Sequence, residues 1–391
     1  MKYNFDKVID RSGTSAEKVE GLKHIWGRTD LIPLWVADMD FATAPFVTDA
    51  IRKRCENEVL GYTGKPDSYY NAIINWVKQR YDLIVTKEVI NFVPGIVPGI
   101  GMAMNCFTQK GDKVMIQPPV YHPFAWVTTR NERTLVINPL KWENGMYRMD
   151  LDAFRELIKG CKLFILCNPH NPGGVVWTEA ELRAIADICY DEKVLVFSDE
   201  IHADLTLPPH THRPFATVSE KARMNSVTFM SPSKAFNMPG LSASHALIFN
   251  EDLRKRFRIY MDAGELDMGH VFAFLSVEAA YSHGTEWLDQ CLAYIQGNID
   301  FVDEFLKKHA PKIKAIRPEA SYLVWLDCRE LELSQKDLNE FFVDKAHLAL
   351  NDGEMFGKEG IGFMRLNVAS PRCIIEKAMK QLADAYQLYI K

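Results

Sequence analysis

The chain has 391 residues, 47% of them apolar and 25% charged, with a formal net charge of −5. That size and balance imply a globular protein with a sizeable core and room for two or three domains. The small, mixed-sign acidic excess leaves no footprint for nucleic acid or an anionic membrane, and no apolar run reaches membrane-spanning length.

The opening Met1-Lys2-Tyr3-Asn4-Phe5-Asp6 lacks the hydrophobic stretch of a secretion signal. The next residues are punctuated by Gly13, Gly21 and Gly27 and end in an apolar-acidic block, Leu34-Trp35-Val36-Ala37-Asp38-Met39-Asp40-Phe41. Further on, Phe92-Val93-Pro94-Gly95-Ile96-Val97-Pro98-Gly99 has the form of a strand, a tight turn and a helix start. Backbone N–H groups at such a helix start, those of Ile96 and Val97, form a natural phosphate seat. Proline at 98 fits a first helical turn, where no intrahelical donor is lost.

From about 90 to 250, short apolar runs alternate with amphipathic stretches. Strands are predicted at Val114–Ile116, Leu163–Cys167, Val194–Phe197 and Val227–Met230, continuous apolar runs of the kind covered on both faces. Between the second and third, Thr178 and Glu181 form a capping box, followed by Leu182, Ile185, Ala186 and Cys189 on one helical face. Strand, helix, strand in this order reads as a crossover in a doubly wound α/β sheet. After 290 a long helix is predicted over Cys291–His309, then a strand over Ser321–Leu326 and a final helix over Ile374–Leu388. This gives an N-terminal arm and part of a small domain at 1–47, a large domain at 48–290, and a smaller α+β domain at 291–391. The eight cysteines are scattered without a Cys-x-x-Cys pair. That points to reduced thiols in the cytoplasm and to no metal site.

Ligands of open α/β sheets bind beyond the carboxyl ends of the strands. Three successive strands here run into polar residues of different kinds. One leads into Asn168-Pro169-His170-Asn171-Pro172-Gly173-Gly174, the next into Ser198-Asp199-Glu200-Ile201-His202, the third into Ser231-Pro232-Ser233-Lys234. Each alone is ordinary: a turn, a helix cap, a surface charge. Together, an amide, a carboxylate and a lysine converging on one crevice suit a pyridine cofactor bearing an aldehyde. The lysine forms the imine, the carboxylate keeps the ring nitrogen protonated, and the amide hydrogen-bonds the phenolic oxygen.

These three blocks resemble the signatures of the class I/II aminotransferase superfamily, and so does Met364-Arg365-Leu366-Asn367-Val368-Ala369. The resemblance implies the fold of type I pyridoxal 5'-phosphate (PLP) enzymes: a large doubly wound mixed sheet plus a smaller α+β domain built from both chain ends. It makes Lys234 the Schiff-base lysine, Asp199 the partner of the ring nitrogen and Asn171 the partner of the phenolic oxygen. Tyr121 would stack on the ring. Ser231 and Ser233 would add hydroxyls to the phosphate, and His202 stands where many relatives carry tyrosine. Arg365, with Ala37 of the arm, would bind the substrate carboxylate, and Tyr62 would reach the phosphate of a neighbouring subunit in a homodimer.

One departure narrows the branch. The arginine expected eight residues beyond the lysine is Ser242. Its loss, together with the block at 34–41, resembles bacterial cystathionine β-lyases and cysteine-S-conjugate β-lyases. The expected reaction is therefore α,β-elimination from L-cystathionine and related conjugates. The alternatives are transamination, which the same residues serve, and a PLP-bearing regulatory or binding protein.

Overall fold

The computed structural model describes residues 3–389. Its centre is a seven-stranded mixed sheet built from β1 (Ile90–Val93), β2 (Lys113–Ile116), β3 (Thr134–Ile137), β4 (Cys161–Cys167), β5 (Leu195–Asp199), β6 (Ser226–Met230) and β7 (Ser244–Leu247). The spatial order is β1-β7-β6-β5-β4-β2-β3. Strands β2 to β6 pair in parallel, whereas β7 runs antiparallel to both its neighbours. Every residue of β1, β6 and β7 is buried, as are the last five of β4, which is why β4 and most of β6 read as apolar runs without alternation.

Helices cover the sheet. Helix α1 (Ile96–Phe107) follows β1, α2 (Pro123–Arg130) follows β2, and α3 (Glu179–Asp191) joins β4 to β5. The capping box of α3 forms as the sequence predicts: Glu181 N–H donates to Thr178 Oγ1 at 3.2 Å, and Thr178 N–H to Glu181 Oε2 at 2.8 Å. Its face of Leu182, Ile185, Ala186 and Cys189 is buried.

A second, antiparallel sheet has the order β8 (Lys314–Ile316), β9 (Leu323–Asp327), β11 (Phe363–Asn367), β10 (Asn351–Asp352). Helix α4 (Thr285–His309) leads into it, and α5 (Arg372–Tyr389) packs against α4. Position 290 lies inside α4, so the chain passes between the two sheets without a break. Strand β9 starts two residues later than the expected Ser321, because Ser321 adopts φ +81° and cannot extend the strand. The N-terminal arm joins this second sheet region, with Ile32–Pro33 pairing in parallel with Leu348–Ala349.

The block at 34–41 is neither helix nor strand, yet side chains take up most of its carbonyls. Asn367 Nδ2 donates to the carbonyls of Val36 and Asp38, each at 2.7 Å. Asn237 Nδ2 donates to those of Met39 and Phe41, at 3.0 and 2.7 Å. Beside them Lys18, fully buried, binds Asp40 at 2.8 Å, while Arg11 binds Asp38 at 2.6 Å. Two cations matched to two carboxylates keep this inner charge cluster neutral, as burial requires. Among the described residues no helix is long and apolar enough to cross a membrane.

Candidate active site

Strands β4, β5 and β6 are adjacent and parallel, so their carboxyl ends emerge side by side. Cys167 lies opposite Asp199, and Asp199 opposite Phe229. The polar segments that follow each strand therefore converge, and a cavity of about 200 Å³ opens there. Ala37, Ile96, Val97, Tyr121, Asn171, Asp199, His202, Ser233 and Lys234 all line it. Arg365 reaches it from β11 of the second sheet, with Nη1 on Asn171 Oδ1 at 3.1 Å.

Two expected residues stand elsewhere. Ser231 Oγ lies 2.7 Å from the Ala243 carbonyl and 2.9 Å from Ser233 Oγ, so it braces the loop while Ser233 lines the cavity. Tyr62 is 97% exposed, in a segment where Val59 and Leu60 are exposed too.

At the cavity floor β1 turns into α1 through Gly95, at φ +148°, a conformation that favours glycine. No side chain caps this helix, so the N–H groups of its first turn remain for an anion. Ser242, in place of the expected arginine, lines the same end with Ser233 and Ser244. This end of the cavity therefore offers hydroxyls where a guanidinium was expected.

Withdrawal from water sets the charges. Burial pushes the Asp199 carboxyl up to about 7, against the opposing Ile201 N–H bond at 3.1 Å; Glu200 adds to the rise and Lys234 counters it. The Lys234 amine is lowered to about 8 by the same withdrawal, against Asp38 and Asp199. Burial brings His202 down to about 3 and His122 to about 4, so both imidazoles are neutral at pH 7. Arg365 is held by Asn351 Oδ1 at 2.5 Å and the Trp35 carbonyl at 3.2 Å, and its Nε is buried without a partner.

Planarity of the peptide group adds one more donor. Because the Val36 carbonyl is fixed on Asn367, the N–H of Ala37 must point the opposite way. On the other side, the Ala37 carbonyl accepts from Lys234 Nζ at 2.6 Å and from the Tyr322 hydroxyl at 2.9 Å.

This donor set fits PLP. A buried carboxylate held up near 7, with no ion pair among the described residues, suits a protonated pyridine nitrogen. The lysine is lowered towards the neutral amine that attacks an aldehyde, and the uncapped turn suits a phosphate. Among the described residues no group of three or more His, Cys, Asp or Glu could hold a metal.

Sequence reasoning missed Tyr322 and Asn367 as site residues, although both stand in segments it singled out. A buried amide two positions beyond Arg365 gives no periodic signal of its grip on the arm, and only the contact reveals it.

Residues 29–382 match the family model "Aminotransferase class I and II". The cystathionine β-lyase PatB of Bacillus subtilis is 38% identical over 98% of this chain and 99% of its own. A PLP-bound protein of Clostridium difficile 630, provisionally assigned as an aminotransferase, superposes with TM-score 0.96 at 40% identity, covering 98% of this chain and 100% of its own. The PLP-bound C–S lyase of Staphylococcus hominis superposes with TM-score 0.91 at 35% identity, covering 98% of both chains.

Proposed function

Because the chain belongs to the class I and II aminotransferase family, we propose that it cleaves L-cystathionine and related cysteine S-conjugates by α,β-elimination. The products are a thiol, pyruvate and ammonia, with one water consumed. The enzyme is a PLP-dependent carbon–sulfur β-lyase. The observation that carries this reading is the near-complete alignment with a cystathionine β-lyase, joined to a cavity in which Lys234, Asp199 and Arg365 converge.

The residues divide the work. Lys234 holds the cofactor covalently and, once freed, takes the α-proton of the substrate on Nζ. Asp199 would pair with the ring nitrogen, Asn171 with the phenolic oxygen, and Tyr121 would support the ring. The first turn of α1 at Ile96 and Val97, with Ser233, would hold the phosphate, while His202 lines the site as a neutral ring. When bound, PLP supplies an electron sink that acidifies the α-carbon. Arg365 and the Ala37 N–H hold the α-carboxylate, which fixes the bond that Lys234 attacks. The deciding assay supplies L-cystathionine with and without a 2-oxo acid. Pyruvate release supports the lyase, amino transfer without pyruvate a transaminase, and a yellow, inert protein a binding module.

Arg365→Lys keeps the charge and loses the planar fork. Charge-assisted hydrogen bonds are worth about 1.5–3 kcal/mol, so kcat/KM should fall by at least roughly tenfold. The loss should be similar for L-cystathionine and S-methyl-L-cysteine, since both carry the same α-carboxylate. Steady-state kinetics on the two check it, and a loss confined to one leaving group would move the clamp elsewhere.

The protein acts in the cytoplasm as a homodimer in which Tyr62 of one subunit reaches the phosphate of the other. Its exposed ring, with Val59 and Leu60 beside it, favours burial against a second copy. Mixing inactive Lys234→Ala chains with an inactive Tyr62 variant should recover activity in hybrid dimers that carry one intact site. Hybrids that recover none would end the cross-subunit role.

A further inference from the structure

We propose that Tyr322 is a positioning residue for the base: its hydroxyl takes one lone pair of the Ala37 carbonyl, confines the Lys234 amine to the other, and so aims that amine at the substrate's α-proton. The inference rests on Lys234 being the base of the β-lyase reaction.

The carbonyl is a fixed acceptor. Asn367 grips the carbonyls on both sides of it, Val36 and Asp38, at 2.7 Å each, and the intervening peptides are planar. A carbonyl oxygen has two lone pairs. Tyr322 donates to it at 2.9 Å and Lys234 at 2.6 Å, so both are used. Tyr322 is completely buried, immediately before β9. Burial, then Asp38, pushes its phenol far above the ordinary value, so it remains an O–H donor at any working pH.

The charged groups around the amine come from three elements: Asp38 on the arm, Arg365 on β11 and Asp199 on β5. His202, after β5, also feels Lys234 but is neutral above about 3. A neutral amine has two N–H groups and one lone pair. Giving one N–H to an oxygen that cannot move restricts rotation at Nζ, and the free lone pair keeps one direction. After proton uptake the same bond becomes charge-assisted and stronger. Because the oxygen is shared, that gain is limited, which adds to the lowering that burial imposes on the amine. Losing the hydroxyl should therefore make Lys234 more basic and less well aimed.

Tyr322→Phe tests this and keeps the ring that packs in the core. With L-cystathionine, kcat should fall about tenfold while KM stays within about twofold, because aim and not binding is lost. The isotope effect on kcat with α-deuterated L-cystathionine should rise, since proton removal becomes slower. In the cofactor-free chain, the pH dependence of Lys234 acetylation by acetic anhydride should place its pKa higher in the variant, by about half a unit or more. Site-specific 3-fluorotyrosine at 322, a stronger donor, should move it the other way and serves if the phenylalanine variant does not fold. A merely structural role would lower thermal stability and leave isotope effect and pKa unmoved. That outcome, or a loss confined to KM, overturns the proposal. Should the wild-type chain release no pyruvate from L-cystathionine, the lyase reading fails, and the acetylation comparison still decides the role of Tyr322.

Discussion

Asp199→Ala should leave a folded chain that turns over L-cystathionine about 150- to 5,000-fold more slowly. Removing one member of a buried ion pair costs about 3–5 kcal/mol, and each 1.36 kcal/mol is a factor of ten in rate. Here the missing partner faces the ring nitrogen, so the protonated form of the ring loses its support and the α-carbon its acidity. The loss should lie in kcat more than in KM. A variant that keeps most of its wild-type turnover would remove Asp199 from the mechanism.

The cofactor-free chain supplies the control. Burial pushes the Asp199 carboxyl up to about 7, above the unfolded range near 4. Between those values the folded chain binds more protons than the unfolded one. Stability from this group is therefore present at low pH and declines as pH rises through about 7. In the alanine variant this contribution disappears. The cofactor-free variant should consequently match or exceed the wild type in thermal stability at pH 8, where an unpaired buried carboxylate is costly. A variant that is much less stable at pH 8 would mean that Asp199 holds the fold and not the cofactor.

Lys234→Ala should be the other severe change. A positioned general base contributes about 10²–10⁴-fold, and the covalent anchor is lost with it, so turnover should fall by at least that factor. Borohydride treatment of the wild-type holoenzyme, followed by peptide mapping, should place the cofactor on Lys234. A label on another lysine would end the assignment. Alanine also leaves the Ala37 carbonyl with Tyr322 alone, an acceptor still satisfied, so folding should survive.

Four strands of the doubly wound sheet, β2, β4, β5 and β6, were legible in the sequence because they are largely buried and need apolar runs, whereas β7 carries Ser244 and His245 and gives no such run. The capping box of α3 was legible for a similar reason: Thr178 and Glu181 are three residues apart and meet by helical geometry alone. The same locality made the proposed catalytic core visible. Asn171, Asp199 and Lys234 each follow a strand directly, and parallel neighbours carry their ends to one edge. The motif resemblance implied chemistry at those positions, and the family match agrees with the resemblance.

What the residues could not disclose is how the arm at 34–41 is held. That segment has no period of its own, because most of its carbonyls are satisfied by side chains and not by a helix or ladder. The Ala37 carbonyl meets a hydroxyl 285 positions away and the Val36 carbonyl an amide 331 positions away. Hydrogen bonds of that span leave no spacing rule in the chain. The direction of the Ser231 hydroxyl was equally hidden, since a serine near a phosphate seat can brace a loop or donate to a ligand. Charge states were hidden too: a carboxylate near 7 and an amine near 8 follow from withdrawal from water, which only packing decides. Local sequence thus determined which residues stand at the strand ends, through strand burial and helix capping. Tertiary structure alone decided which backbone atoms face them, because those contacts join segments at opposite ends of the chain.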